Sequence, residues 1–228
     1  MNKPWYKKWW GILILLTLTI ILIFIVASVF YVIDIVKKIK SGEISTYNIE
    51  KVEISKEQLE KIEGKNNYWI GSNDPKITIV EFGDFSCSLC KSSFSKLREI
   101  GKNHSQNVKI IFRDFPVVNE YSSDLALAGR CAGEQGLFWV MYDKLYLNQG
   151  VSQKNEILEL AKQIGAEEEK FKICFESKKY STAIQKDLAD GFDLDIQGTP
   201  TWFINGFKIE GDIPYDTFTK IIDQPLNN

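Results

Sequence analysis

Cys87 and Cys90, three positions apart, are the residues of this chain best placed to do chemistry. Thiols at that spacing can close a disulfide, exchange it with another thiol, or hold half of a zinc site. Their surroundings favour exchange. Ile77 to Phe82 is β-branched and apolar, as a buried strand is. Gly83, Asp84 and Ser86 interrupt it, and Cys90, Phe94, Leu97 and Ile100 then fall at helical spacing. Cys87 is thus predicted where a strand ends and a helix begins, with Cys90 one turn inside. Free amides at a helix N-terminus favour thiolate over thiol. An ordinary thiol is only roughly 3% thiolate at pH 7. Lowering its pKa by about 3 units stabilises the thiolate by about 4 kcal/mol. That makes the disulfide a better oxidant, by on the order of 90 mV. Half a zinc site and an inert local disulfide are the alternatives.

The rest of the chain must hold that pair and place it in a compartment. Of 228 residues, 1–40 carry six Lys and one Asp, while 41–228 carry a net charge of −7. So acidic a remainder argues against nucleic acid as a partner. Gly11 to Ile33 is 23 residues without a charge, long enough to span a bilayer. Trp5, Tyr6, Trp9 and Trp10, with Lys3, Lys7 and Lys8, form an interfacial cluster before it. A retained anchor is expected over a cleaved signal peptide, because the apolar stretch exceeds the usual length of a signal core. Lys37, Lys38 and Lys40 balance the N-terminal lysines, so charge does not set orientation. Disulfide chemistry works outside the cytoplasm, which puts residues 1–10 inside. Residues 34–67 read as a solvated spacer with one short helix, its capping box at Ser55 and Gln58 and its end at Gly64.

The folded domain is expected over 68–228. Val108 to Phe115 reads as a second strand ended by Pro116. A helical region follows over about 122–195, with Ser123 as its first cap. Its apolar faces carry Leu125, Leu127 and Cys131, then Phe138, Trp139, Tyr142, Leu145 and Tyr146, then Ile157 to Ile164 closed by Gly165, then Phe171, Cys174 and Phe175. These aromatic stripes read as core. Thr201 to Asn205, a turn at Gly206, and Lys208 to Glu210 form a hairpin pattern. Tyr215 to Ile222 is a final amphipathic helix. The single His, His104, lies in a polar run and reads as a solvated loop residue.

Gly198-Thr199-Pro200 heads the returning strand about 110 residues after the cysteine pair, where a proline fits a cis bond in a tight turn. Three blocks in order carry a resemblance: Thr78 to Cys87, Cys131 to Trp139, and Gly198 to Gly206. With them the chain resembles the DsbA-like thiol oxidoreductases over roughly Tyr68 to Gln224. The resemblance implies an α/β thioredoxin fold with a helical insertion, here preceded by one transmembrane helix. It implies that Cys87 is the exposed attacking cysteine and Cys90 its resolving partner. Pro200, in cis, should lie against the disulfide, with Thr199 tuning its potential. Glu81 aligns with an acidic residue beneath the site. A buried carboxylate there should have a raised pKa and could exchange a proton with Cys90; a surface ion pair is the other reading. Some relatives bridge the positions of Cys131 and Cys174, which implies a structural disulfide; two buried thiols are the alternative. Strongly oxidising relatives often carry Pro-His between the cysteines, where this chain has Ser88-Leu89.

The reading is therefore a monomeric, membrane-anchored oxidase of exported proteins that carry free cysteines. The family implies reoxidation by a quinone-linked membrane partner of the DsbB or vitamin K epoxide reductase type, and no metal or organic cofactor. A reductase or isomerase on the same fold is the nearer rival. A zinc-binding or adaptor domain using all four Cys is the farther one; its spacing lacks paired Cys-x-x-Cys repeats.

Overall fold

Trp9–Lys40 forms one helix, α1, in the computed structural model, which describes residues 9–40, 47–205 and 207–226. Its Trp9–Lys38 stretch is long and apolar enough to cross a membrane, rising about 45 Å. Helix continues through Asp34 beyond the uncharged stretch, and Asp34 pairs with Lys38 one turn on at 2.8 Å. The aromatic and lysine cluster at residues 3–8, and residues 41–46, lie outside the described residues.

A second unit begins at Tyr47, not at Tyr68. Its elements are β1 (Tyr47–Lys51), α2 (Lys56–Glu63), β2 (Tyr68–Gly71), β3 (Ile77–Gly83), α3 (Ser88–Asn103), β4 (Val108–Asp114), α4 (Ser122–Gly133), α5 (Phe138–Leu147), α6 (Lys154–Gln163), α7 (Glu168–Glu176), α8 (Ser181–Asp193), β5 (Thr201–Ile204), β6 (Phe207–Gly211) and α9 (Tyr215–Leu226). Six strands make one sheet in the order β1-β6-β5-β3-β4-β2. Only β3 and β4 run parallel, because α3 carries the chain back between them. Helices α4 to α8 are the insertion.

Part of the expected spacer therefore belongs to this unit, as strand β1 and helix α2. β1 pairs antiparallel with β6, from Tyr47 opposite Gly211 to Lys51 opposite Phe207. Ser55 and Gln58 close the expected capping box on α2, and Ile62 is buried beneath it. Carbonyls left open at a helix end need donors. Here Arg113 Nη1, fully buried on β4, donates to the carbonyls of Lys61 and Ile62.

Strand alternation divides the core. Ile77, Ile79, Trp202 and Ile204 pack with Leu97 and Ile100 of α3 and with Phe218 and Ile222 of α9. Val80, Phe82, Ile111 and Phe203 face Ile62, Leu194 and Ile196 on the other side. The insertion buries a third cluster, centred on Phe85, Phe112, Tyr142 and Tyr146, which also receives Cys87 and Cys90. Ser123 does not cap α4; the helix starts one residue earlier, and Ser122 Oγ instead accepts from the Asn119 amide at 3.0 Å. Asn205, at φ +46, ends β5; the turn glycine expected at 206 lies outside the described residues.

Candidate functional site

Asp84 builds the turn between β3 and α3. Its Oδ1 accepts from the Ser86 amide at 2.8 Å, and its main-chain carbonyl accepts from the Cys87 amide at 3.0 Å. Its Oδ2 accepts from the amides of Val117 and Val118, at 2.9 and 2.8 Å. One buried carboxylate therefore ties the cysteine loop to the segment after β4. Gln149, just past α5, donates to the carbonyls of Phe85 at 3.0 Å and Cys87 at 2.8 Å.

Cys87 occupies the cap position of α3 with extended backbone, φ −78 and ψ 125. Cys90 follows within the first turn. Both are free thiols. Cys87 is less open than expected, at 7% exposure, and Cys90 is fully buried. As a thiol, Cys87 Sγ donates to the Thr199 carbonyl at 3.1 Å. Its pKa nevertheless falls from 9.0 to about 6. The Cys90 thiol is the main cause. Burial opposes it, and the Thr199 hydroxyl and the amides of Cys90 and Leu89 add to it. Roughly nine-tenths of Cys87 is thiolate at pH 7 on that value. Cys90 goes the other way: burial first, then its bond to Cys87 and the Glu81 charge, push it well above the ordinary thiol range.

Glu81 sits in register between Phe112 of β4 and Trp202 of β5, fully buried. Burial raises its pKa to about 8, against the Tyr142 hydroxyl, which donates to Oε2 at 2.8 Å. Glu81 is therefore mostly neutral at pH 7 and makes no surface pair. Thr199-Pro200 is a cis peptide, and the Pro200 carbonyl accepts from the Gly211 amide at 2.8 Å. Cys131 on α4 and Cys174 on α7 are joined by a disulfide, with Cα atoms 5.8 Å apart. That bond commits both sulfurs to each other, so they cannot complete a four-thiolate site with the other pair.

Sequence reasoning passed over three positions. Asp84 was visible as a turn residue, but nothing showed its reach to residue 118. Tyr142 reads as one more apolar stripe residue, and periodicity does not report where a hydroxyl points. Gln149 carries no local signal.

The model of a family described as thioredoxin matches residues 63–224. The Na(+)/H(+) antiporter NhaA 1 of Salinispora arenicola is 32% identical over 62% of this chain, and the chain spans 22% of that protein's length. Probable disulfide bond formation protein D of Bacillus cereus is 30% identical over 69% of this chain and 77% of its own. Oxidised BdbD from Bacillus subtilis superposes with a TM-score of 0.64 at 22% identity, covering 79% of this chain and all of that one.

Proposed function

The chain belongs to the thioredoxin family, in its DsbA-like branch, and on that premise we propose that it is a membrane-anchored disulfide oxidase acting at Cys87 and Cys90 outside the cytoplasm. The observation that carries this reading is the asymmetry of the pair. Cys87 retains some exposure with its pKa lowered to about 6, while Cys90 is sealed in and pushed up. At pH 7 the fall of the Cys87 pKa from 9.0 to about 6 stabilises the reduced state by about 1.4 kcal/mol, on the order of 30 mV in favour of oxidising a substrate.

A substrate thiolate attacks Cys87 Sγ of the oxidised pair. The Cys87–Cys90 bond breaks, its electrons leave on Cys90, and a mixed disulfide forms at Cys87. Neutral Glu81 supplies the proton that Cys90 needs in its apolar setting. A second substrate thiolate attacks the substrate sulfur of the mixed disulfide, releasing oxidised substrate and Cys87 as thiolate. Two electrons have then moved from substrate to enzyme. A quinone-linked membrane partner takes them on, and α1 keeps the domain near it. Thr199 and Pro200 offer backbone beside Cys87 for an extended substrate peptide. The N-terminus stays inside, and exported proteins with free cysteines are the substrates.

Equilibration of the Cys87–Cys90 pair with glutathione tests the oxidase. A potential near that of glutaredoxins or above it fits net oxidation. A potential near that of thioredoxin would make the chain a reductase.

A further inference from the structure

We propose that Tyr142 is a positioning residue for proton transfer: its phenol dictates which oxygen of Glu81 carries the proton exchanged with Cys90. The proposal rests on the exchange reaction above, with Glu81 as its proton carrier.

Tyr142 and Glu81 are both fully buried, and the phenol donates to Oε2. In a neutral carboxyl the carbonyl oxygen is the better acceptor, so that bond makes Oε2 the carbonyl and leaves the proton on Oε1. Oε1 is buried and has no hydrogen-bond partner among the described residues. The backbone keeps room here: a Cβ on Gly83 would stand 2.6 Å from the Phe112 ring and 3.1 Å from this oxygen. The proton therefore has one place to sit and no neighbour that holds it back.

The groups that act on Glu81 come from several elements. Tyr142 and Tyr146 reach it from α5, and Cys87 and Cys90 from the head of α3. Asp84, in the turn, acts on Tyr146. The flanking strands bring Phe112 and Trp202 into register, neither of which titrates. Burial and the Cys87 charge oppose ionisation of Glu81; the Tyr142 bond favours it. When the Cys87–Cys90 bond breaks, the electron pair stays on Cys90 Sγ and the Oε1 proton is relayed to that sulfur through a water, since Oε1 has no direct partner among the described residues. Glu81 is left as a carboxylate that the phenol stabilises, until a proton from solvent restores it.

The test is single-turnover oxidation of a two-cysteine peptide by the full chain, followed against pH, with thermal unfolding checked for each variant. Wild type should show an inflection near pH 8 from Glu81. Tyr142→Phe should move it up by about one unit, since the lost bond served the charged form. Fluorotyrosine placed at 142 keeps the shape and donates more strongly, so it should move the inflection down. In both, Cys87 should still titrate near 6. Glu81→Gln should remove the inflection, and adding Tyr142→Phe to it should change nothing more. An inflection that Glu81→Gln removes but neither change at 142 shifts overturns the role of Tyr142 alone. A wild-type profile in Glu81→Gln overturns the proton carrier, and the proposal falls with it.

Discussion

Cys87 Sγ donates a 3.1 Å hydrogen bond to the carbonyl of Thr199, the residue before cis-Pro200. The contact favours the thiol, yet the residue that makes it also serves the thiolate. Thr199 Oγ1 is buried and has no partner among the described residues while Cys87 is protonated. When the sulfur ionises it can no longer donate, and the waiting hydroxyl can donate to it. One residue from far along the chain thus meets both protonation states of Cys87.

Thr199→Val removes that hydroxyl and keeps the side chain's shape. Cys87 should titrate higher than about 6, by roughly one unit, the worth of a bond to a charged group. The pH dependence of Cys87 alkylation in the reduced protein reads this directly. An unchanged midpoint would remove the hydroxyl from the account of the thiolate.

Glu81 links the site to stability. Its folded pKa, about 8, lies above the ordinary carboxyl value of 4.5. Between those values the folded state holds a proton that the unfolded chain has lost. Stability should therefore fall as pH rises from about 4.5 to 8, at a limiting slope on the order of 1 kcal/mol per pH unit. Glu81→Gln cannot ionise, and its unfolding free energy should be flatter over that window. Denaturant titrations at several pH values make the comparison; equal slopes would mean Glu81 does not titrate in its buried setting.

The strand, turn and helix around the cysteines were legible because each carries a local signal: β-branched residues to Phe82, then Gly83 and Asp84, then an apolar face from Cys90 to Ile100. The carboxylate at 81 was legible too, since alternation puts it on the face of Ile77 and Ile79. The two edge strands were not. β1 reads Tyr-Asn-Ile-Glu-Lys, and its alternation, Tyr47 and Ile49 alone, is too short to mark a strand; its pairing is supplied by β6, some 160 residues away. β2 is four residues long, and half its side chains face outward. Side chains that act across elements, Asp84, Tyr142 and Gln149, declare their type in the sequence but not their partner.

The Cys131–Cys174 bridge closes a loop over a sequence separation of 43. In the chain-entropy view such a loop contributes about 4 kcal/mol by restricting the unfolded state. Replacing both residues with Ala should lower the unfolding free energy by up to that amount and leave peptide oxidation largely intact, because neither sulfur belongs to the pair proposed to react. A loss of activity at temperatures where the variant is fully folded would give this bridge a role in exchange.

The start of the folded unit can be tested by truncation. A chain beginning at Tyr68 lacks β1 and α2. Its sheet would end on β6, whose outer edge would lose the pairing of residues 207–211. Ile62, 2% exposed in the intact unit, would leave the cluster of Val80, Phe82 and Phe203. The larger cost falls on Arg113. Its guanidinium is fully buried, paired with Asp187 at 2.9 Å and Asp190 at 2.7 Å, and it donates its other face to Lys61 and Ile62. Without those two carbonyls a buried charge keeps unsatisfied donors, at about 1–3 kcal/mol or more. A chain beginning at Tyr47 should therefore be the more stable in urea by at least about 2 kcal/mol, and should oxidise a test peptide at the same rate while both are folded. Since Ile62 of α2 packs in one cluster and the cysteines in another, the difference should appear in the unfolding midpoint and not in the pH profile of alkylation. Equal midpoints for the two chains would return residues 47–67 to the role of a tether.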